Sequence, residues 1–444
     1  MIDHDALPHL PAPIPGPRSR AWLQRLRAVE SPNVTAMDET FPVVWQQARG
    51  ALVWDVDGNR YLDAGSAFGV AFVGHGHPAV RAAAHAQVDA LVHGMGDVHP
   101  PTARIELLEA LAAATPGDLG HGVLCTGGSE AVEVALKTAM LATGKPGIVA
   151  FRDGYHGLTL GALGGTARAD FRGPFARWVP GPTTFCDYAT DAATRDRVLA
   201  EVEAALTHPQ APAGVVLIEP LQGRGGTRLP APGLLAGLRA LCDAHGALLC
   251  FDEIFTGCGR TGAMFACEHP DEGAPGGVLP DLLCVGKALG GGFPVSACLG
   301  RPQVMAAWGP SKGEALHTST FLGHPVAAAA AVASLRAIRE EGLVERAKTA
   351  GAALQAALRE RLGGHPAVRE IRGRGLMQGV DLGDGGLAWR VVLGCLQRGV
   401  LLLPCGTGGH VVQLTPPAVT TDAQLAFIVD TLAKTLTAES GVSA

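Results

Sequence analysis

The sequence predicts an α/β fold of the doubly wound kind, with a large domain around a mostly parallel sheet and a smaller α+β domain behind it. Three observations carry that prediction. Between His121 and Pro294 short apolar runs (HGVLC, GIVAF, GVVLI, LLCFDE, DLLCV) alternate with helical stretches, as repeated strand and crossover units require. From about Phe321 the texture changes to a long alanine-rich helix, then alternating strand-like runs and a closing helix. The 444 residues, 47% of them hydrophobic, suffice for a large core and a second domain. Boundaries are expected at 1–70 for an N-terminal segment packing with the small domain, 71–320 for the large domain, and 321–444 for the small one.

Composition excludes several classes of function. Lys plus Arg number 35 against 41 acids, a formal charge of -6, so there is no electrostatic footprint for nucleic acid or a membrane surface. The proline-rich start (PHLPAPIPGPRSR) lacks the parts of a signal peptide, and the run VAAAAAVASLRAI is too short to span a bilayer. A cytoplasmic chain is expected. Ten cysteines, without a CxxC pair, sit largely in apolar runs and read as small core residues.

In chain order, GALVWDVDGNRYLDA (50–64) reads as a hairpin with DGN as its turn. GHGHPAV introduces a helix; its His75 and His77 lack a third ligand at suitable spacing, so no metal site is expected. HGVLCTGGSEAVEVALKTAMLATGK (121–145) reads as strand, small-residue turn and helix closed by Gly144. There Thr126, Gly127, Gly128 and Ser129 could cradle a phosphate at a helix N-terminus, or simply cap the helix. After the strand GIVAF, the loop DGYHG offers Tyr155 as a ring that could stack on a flat ligand. GVVLIEP is a buried strand ending in Glu219, and a helix from Pro232 to His245 leads to LLCFDE, a strand ending in acid at Asp252. The next strand ends in Lys287, within PDLLCVGKALGGGFP. A nucleotide loop fails at this lysine, because Ala288 follows it and no glycine stands five residues before Gly286.

Two consecutive parallel strands ending in Asp252 and Lys287 would bring both side chains to the carboxyl edge of the sheet, where open α/β folds bind ligands. Apolar flanks favour the neutral, nucleophilic amine at Lys287. A lysine that forms a Schiff base and an acid that keeps a pyridine nitrogen protonated are the pair that pyridoxal phosphate requires.

The combination TGGSEAVE, YHG, EPLQG, DEIFTGCGRTG, GKALGGGFP, HTSTFLGHP, RGRGLM and LTPP, in this order, resembles the class III aminotransferases of the ornithine and 4-aminobutyrate type, from about Arg49 onward. The resemblance implies fold type I of the pyridoxal-phosphate enzymes and a transaminase that passes an amino group from donor to oxo acceptor by a ping-pong route. It implies Lys287 as covalent anchor and proton carrier and Asp252 as partner of the pyridinium. It places Ile254 and Tyr155 on the ring's two faces with His156 beside them, and Gly128 and Ser129 on the phosphate. Glu219 falls on the cofactor's hydroxyl side, and Thr320 reaches the phosphate of a neighbouring subunit, which implies a homodimer with sites at its interface. Arg260 reads as structural. A racemase, epimerase or aminomutase on the same scaffold is the alternative, since these enzymes share the lysine, acid and phosphate cradle.

Two departures bear on substrate. Where many relatives carry a second acid in EPxQGE this chain has Arg224, and where they carry an arginine before the PP pair it has Gln413. Glutamine offers a carboxylate no bidentate fork, so the expectation is that Arg224 takes the carboxylate from the other side of the pocket. Phe255 replaces a glutamine that contacts the cofactor in many relatives, leaving one donor fewer at its hydroxyl.

Overall fold

A computed structural model describes residues 5–441. After a helix at Pro17–Arg27, strands β1 (Trp45–Arg49), β2 (Leu52–Asp55) and β3 (Arg60–Asp63) form an antiparallel meander. The expected hairpin turn forms around Asp55, whose carboxylate accepts the N–H groups of Asp57 and Asn59 and the hydroxyl of Tyr61. An aspartate that satisfies the turn's own donors makes the turn a local property of the sequence.

Seven strands make the central sheet: β4 (His121–Cys125), β5 (Gly147–Phe151), β6 (Thr183–Cys186), β7 (Ala213–Ile218), β8 (Leu248–Glu253), β9 (Leu282–Val285) and β10 (Ser296–Gly300). Their spatial order is β4-β10-β9-β8-β7-β5-β6. Pairs from β9 to β6 are parallel, and β10 runs antiparallel to both of its neighbours. Helices cover both faces, which is why β7 reads as an unbroken apolar run and is buried throughout. Cys125, Cys250, Cys284 and Cys298 lie on the face against helix Gly128–Thr143, packed with Ala131, Val132 and Ala135.

That helix is fixed at both ends. Glu130 reaches back to the N–H and hydroxyl of Thr126 and the N–H of Gly127, and Gly144 ends the helix at φ +67°.

One element departs from expectation. The single long helix after Phe321 is two, Pro325–Glu340 and Leu343–Leu362, because Gly342 between them takes φ +63°. The left-handed conformation costs glycine nothing, so the chain turns there. Pro325–Glu340 packs on Pro78–Ala90 and Thr102–Ala114, and Ser334 bonds the carbonyl of Ala288.

Strands β11 (Glu370–Arg374), β12 (Met377–Asp381), β13 (Val400–Leu401), β14 (Leu403–Cys405) and β15 (Val411–Leu414) follow. β11-β12-β15-β14 form an antiparallel sheet, whereas β13 joins β3 in parallel, pairing Val400 with Leu62. Helix Asp422–Ser440 closes the described chain. Among the described residues no helix is long and apolar enough to cross a membrane.

Candidate active site

Strands β8 and β9 are parallel neighbours in register, Asp252 against Cys284 and Glu253 against Val285. Asp252 therefore stands at the carboxyl edge of β8, and Lys287 emerges two residues beyond the end of β9. Lys287 itself sits at φ +43°, a conformation that a side-chain-bearing residue keeps only when its surroundings enforce it.

Both line a cavity of about 670 Å³ together with Gly128, Ser129, Tyr155, His156, Glu219, Arg224 and Ile254. Thr320 and Gln413 do not line it. Thr320 is exposed in the loop before Pro325. Gln413, expected beside the substrate, is buried and turned away: its Nε2 donates to the carbonyl of Gly223 at 3.1 Å and to Thr227 Oγ1 at 3.0 Å. Its amide braces the neighbouring loop instead of entering the cavity.

Asp252 has fixed partners. Its Oδ2 lies 2.7 Å from Nδ1 of His156, and its Oδ1 accepts the N–H of Ile254. Burial works against charge on the His156 ring, but the hydrogen bond and charge of Asp252, joined by Glu219, outweigh it and raise its pKa above the ordinary value. His156 Nε2 is buried with no protein partner among the described residues. Burial pushes the Lys287 amine down to about 8, against the opposing pull of Glu219 and Asp252. Its Nζ rests 3.5 Å from the centre of the Phe255 ring.

Glu219, expected by the cofactor's hydroxyl, also braces the wall: its two oxygens accept the N–H groups of Tyr155 and Gly223, each at 2.9 Å. It thereby ties the Tyr155 loop to the Arg224 loop, and burial raises its pKa. Gly128 leaves room for Ile254, whose Cδ1 would stand 2.9 Å from any added Cβ.

Sequence reasoning missed part of the wall. Val70 reaches the cavity through a turn in which Ser66, Ala67 and Phe68 all take positive φ, at +48°, +47° and +63°. Asp63 holds that turn by accepting the N–H groups of Gly65 and Ala67, and Ser66 Oγ donates to the carbonyl of Thr415. Three non-glycine residues in the left-handed region leave no local pattern, so no sequence signal could have found them. Phe293 and Val295 also line the cavity, and the GGGFP motif could have flagged the first. Arg260, read as structural, is buried and donates to the carbonyls of Leu376 and Pro416 and to Ser66 Oγ, tying its loop to segments both before and after it in the chain.

The donor set fits pyridoxal phosphate. At the start of helix Gly128–Thr143 the N–H of Glu130 bonds the carbonyl of Gly127, whereas the N–H groups of Gly128 and Ser129 precede the helical ladder, and a Cβ at Gly127 would meet nothing within 4 Å, so the turn faces open space. An anion is at home there. A buried carboxylate supported by a histidine suits a protonated ring nitrogen, and a desolvated lysine suits an aldehyde.

Residues 34–436 match the family model described as aminotransferase class-III. The chain is 40% identical to an acetylornithine aminotransferase of Methanopyrus kandleri over 90% of this chain and 95% of that one. It is 37% identical to a 5-aminovalerate aminotransferase of Pseudomonas aeruginosa, over 86% and 91% respectively. The crystal structure of the ornithine aminotransferase from Toxoplasma gondii superposes with a TM-score of 0.84 at 31% identity, covering 95% of this chain and 96% of that one.

Proposed function

From the premise that this chain belongs to the class III aminotransferases, pyridoxal-phosphate enzymes that move an amino group from a donor to an oxo acceptor in two half-reactions, we propose how its own residues divide the work. The observation that carries the reading is the convergence of Lys287, Asp252 and the open turn at Gly128 on one cavity. When bound, pyridoxal phosphate supplies an aldehyde that takes up amines covalently and a ring that withdraws electrons from the reacting carbon. Lys287 anchors it and then moves a proton at the substrate carbon, a task suited to an amine lowered to about 8. Asp252, oriented by His156, holds the proton on the ring nitrogen. Gly128 and Ser129 take the phosphate, Tyr155 and Ile254 bound the two faces of the ring, and Glu219 lies on its hydroxyl side and keeps the Tyr155 loop in place.

The same reading extends to assembly. Leu91, Val92, Met95 and Val98 are exposed, and so is Phe321, whose neighbour Leu322 meets Gly96. A connected apolar face of this kind asks for a partner. A second copy would cover it, forming a homodimer in which Thr320, in the same face, reaches the neighbour's phosphate. The joining of 1–70 to the 321–444 unit is supported by the β3–β13 pairing; Pro325–Glu340, packed on Pro78–Ala90 and Thr102–Ala114, links that unit to 71–320. Ten free, buried cysteines agree with a reducing, cytoplasmic setting. The acetylornithine and 5-aminovalerate aminotransferases that this chain resembles do not favour the racemase, epimerase or aminomutase alternative.

The test is borohydride reduction of the holoenzyme followed by peptide mapping, with the absorption spectrum followed as single donors are added without acceptor. The expected result is label on the peptide containing Lys287 and conversion of the cofactor to its amine form. Label on another lysine would remove the assignment.

A further inference from the structure

Arg224 makes no ion pair and no side-chain hydrogen bond among the described residues, although it lines the cavity. Its guanidinium lies 4.8 Å from the centre of the Tyr155 ring. The acids that share the cavity are both engaged elsewhere, Asp252 with His156 and Ile254, Glu219 with two backbone N–H groups. The loop beneath it is held firmly. Gly406 donates to the carbonyl of Arg224 at 2.8 Å, Gln413 bonds Gly223 and Thr227 on either side, and Arg372 donates to the carbonyl of Gly226. A fixed backbone thus presents a long cation whose counter-charge the protein does not provide.

From this we infer that Arg224 determines specificity: it binds the carboxylate of an amino acid or oxo acid substrate, and it rests on the Tyr155 ring when the occupant has no carboxylate there. The inference rests on the reading of this cavity as the aminotransfer site. A guanidinium and a carboxylate meet in a forked, charge-assisted pair. Arg224 is exposed at the mouth of the cavity, and a ring contact at an exposed position is weaker, so a carboxylate displaces it and a neutral substrate does not. One side chain then serves donors of both kinds without an acid to neutralise it. The substrate class is a carboxylate-bearing amine and its oxo counterpart, and Gln413 acts on it only by positioning the loop.

Calorimetric titration of the holoenzyme with butyrate and with its neutral isostere butyramide tests this without turnover. The wild type is expected to bind butyrate about tenfold or more tightly than butyramide, the size of one charged hydrogen-bond pair. Arg224→Ala and Arg224→Gln are each expected to bring the two affinities within about twofold of one another. A wild type with no preference, or a preference that survives in a folded variant, overturns the inference. If no donor converts the cofactor, the aminotransfer reading fails by itself, while the butyrate preference still decides the role of Arg224.

Discussion

The Lys287 amine lies 3.5 Å from the centre of the Phe255 ring, so the lysine that lines the cavity faces an aromatic surface. Two effects compete at that nitrogen. Burial lowers its pKa to about 8, and the ring face favours the ammonium.

The neutral amine is the nucleophile, so capture of pyridoxal phosphate by the apoenzyme should rise with pH through about 8 and level off above it. Phe255→Leu should move the midpoint lower by up to about one pH unit, because a cation–π contact is worth about 0.5–2 kcal/mol and a unit is about 1.4 kcal/mol. Stopped-flow absorbance at a series of pH values reads both. A wild-type midpoint near 10.5, the value of a solvated lysine, would show that the amine is not desolvated.

Gly157 takes φ +113°, and a Cβ there would fall 2.4 Å from that of Ser129. Gly157→Ala should therefore cost about 1–3 kcal/mol of stability and also weaken pyridoxal phosphate binding, since Ser129 must shift. Gly144→Ala is the control: it has φ +67° and nothing within 4 Å, so it should cost about 1–2 kcal/mol and leave cofactor affinity alone. Equal cofactor affinity in the two variants would separate Ser129 from the phosphate.

Glu253, next to Asp252, is buried and accepts the N–H groups of Ala266 and Cys267 and the hydroxyl of Thr256. Burial outweighs those donors and lifts its pKa to about 7. Between the unfolded value near 4.5 and 7 the native state keeps a proton that the unfolded chain releases, so this residue's contribution to stability falls as pH rises through that window. Glu253→Gln should flatten the decline by up to about 1.4 kcal/mol per pH unit. Denaturant melts from pH 4 to 8 would show parallel profiles for wild type and variant if the carboxyl titrates normally.

Gln413→Leu removes both donors that hold Gly223 and Thr227. The expected loss is about 1–3 kcal/mol of stability from the unpaired acceptors, together with a smaller butyrate preference as Arg224 loses its fixed base. A variant that is less stable but keeps the wild-type ratio of butyrate to butyramide affinity would assign Gln413 a structural role alone.

By itself the sequence determined the α/β class, the strand ends carrying Asp252 and Lys287, and the Gly128–Ser129 turn. These are local facts: strands buried on both faces show as apolar runs, a glycine marks a turn, and the residue after a strand emerges at its edge. The tertiary structure alone decided which side chains face the cavity. Gln413 and Arg224 are 189 positions apart, and only the packing of β15 beside the Arg224 loop turns one inward as a brace and leaves the other open. The same holds for the pairing of His156 with Asp252, for the dual bond of Glu219 and for the left-handed turn at Ser66–Phe68. Contacts between distant segments depend on how helices and sheets stack, and no periodicity within a segment records them.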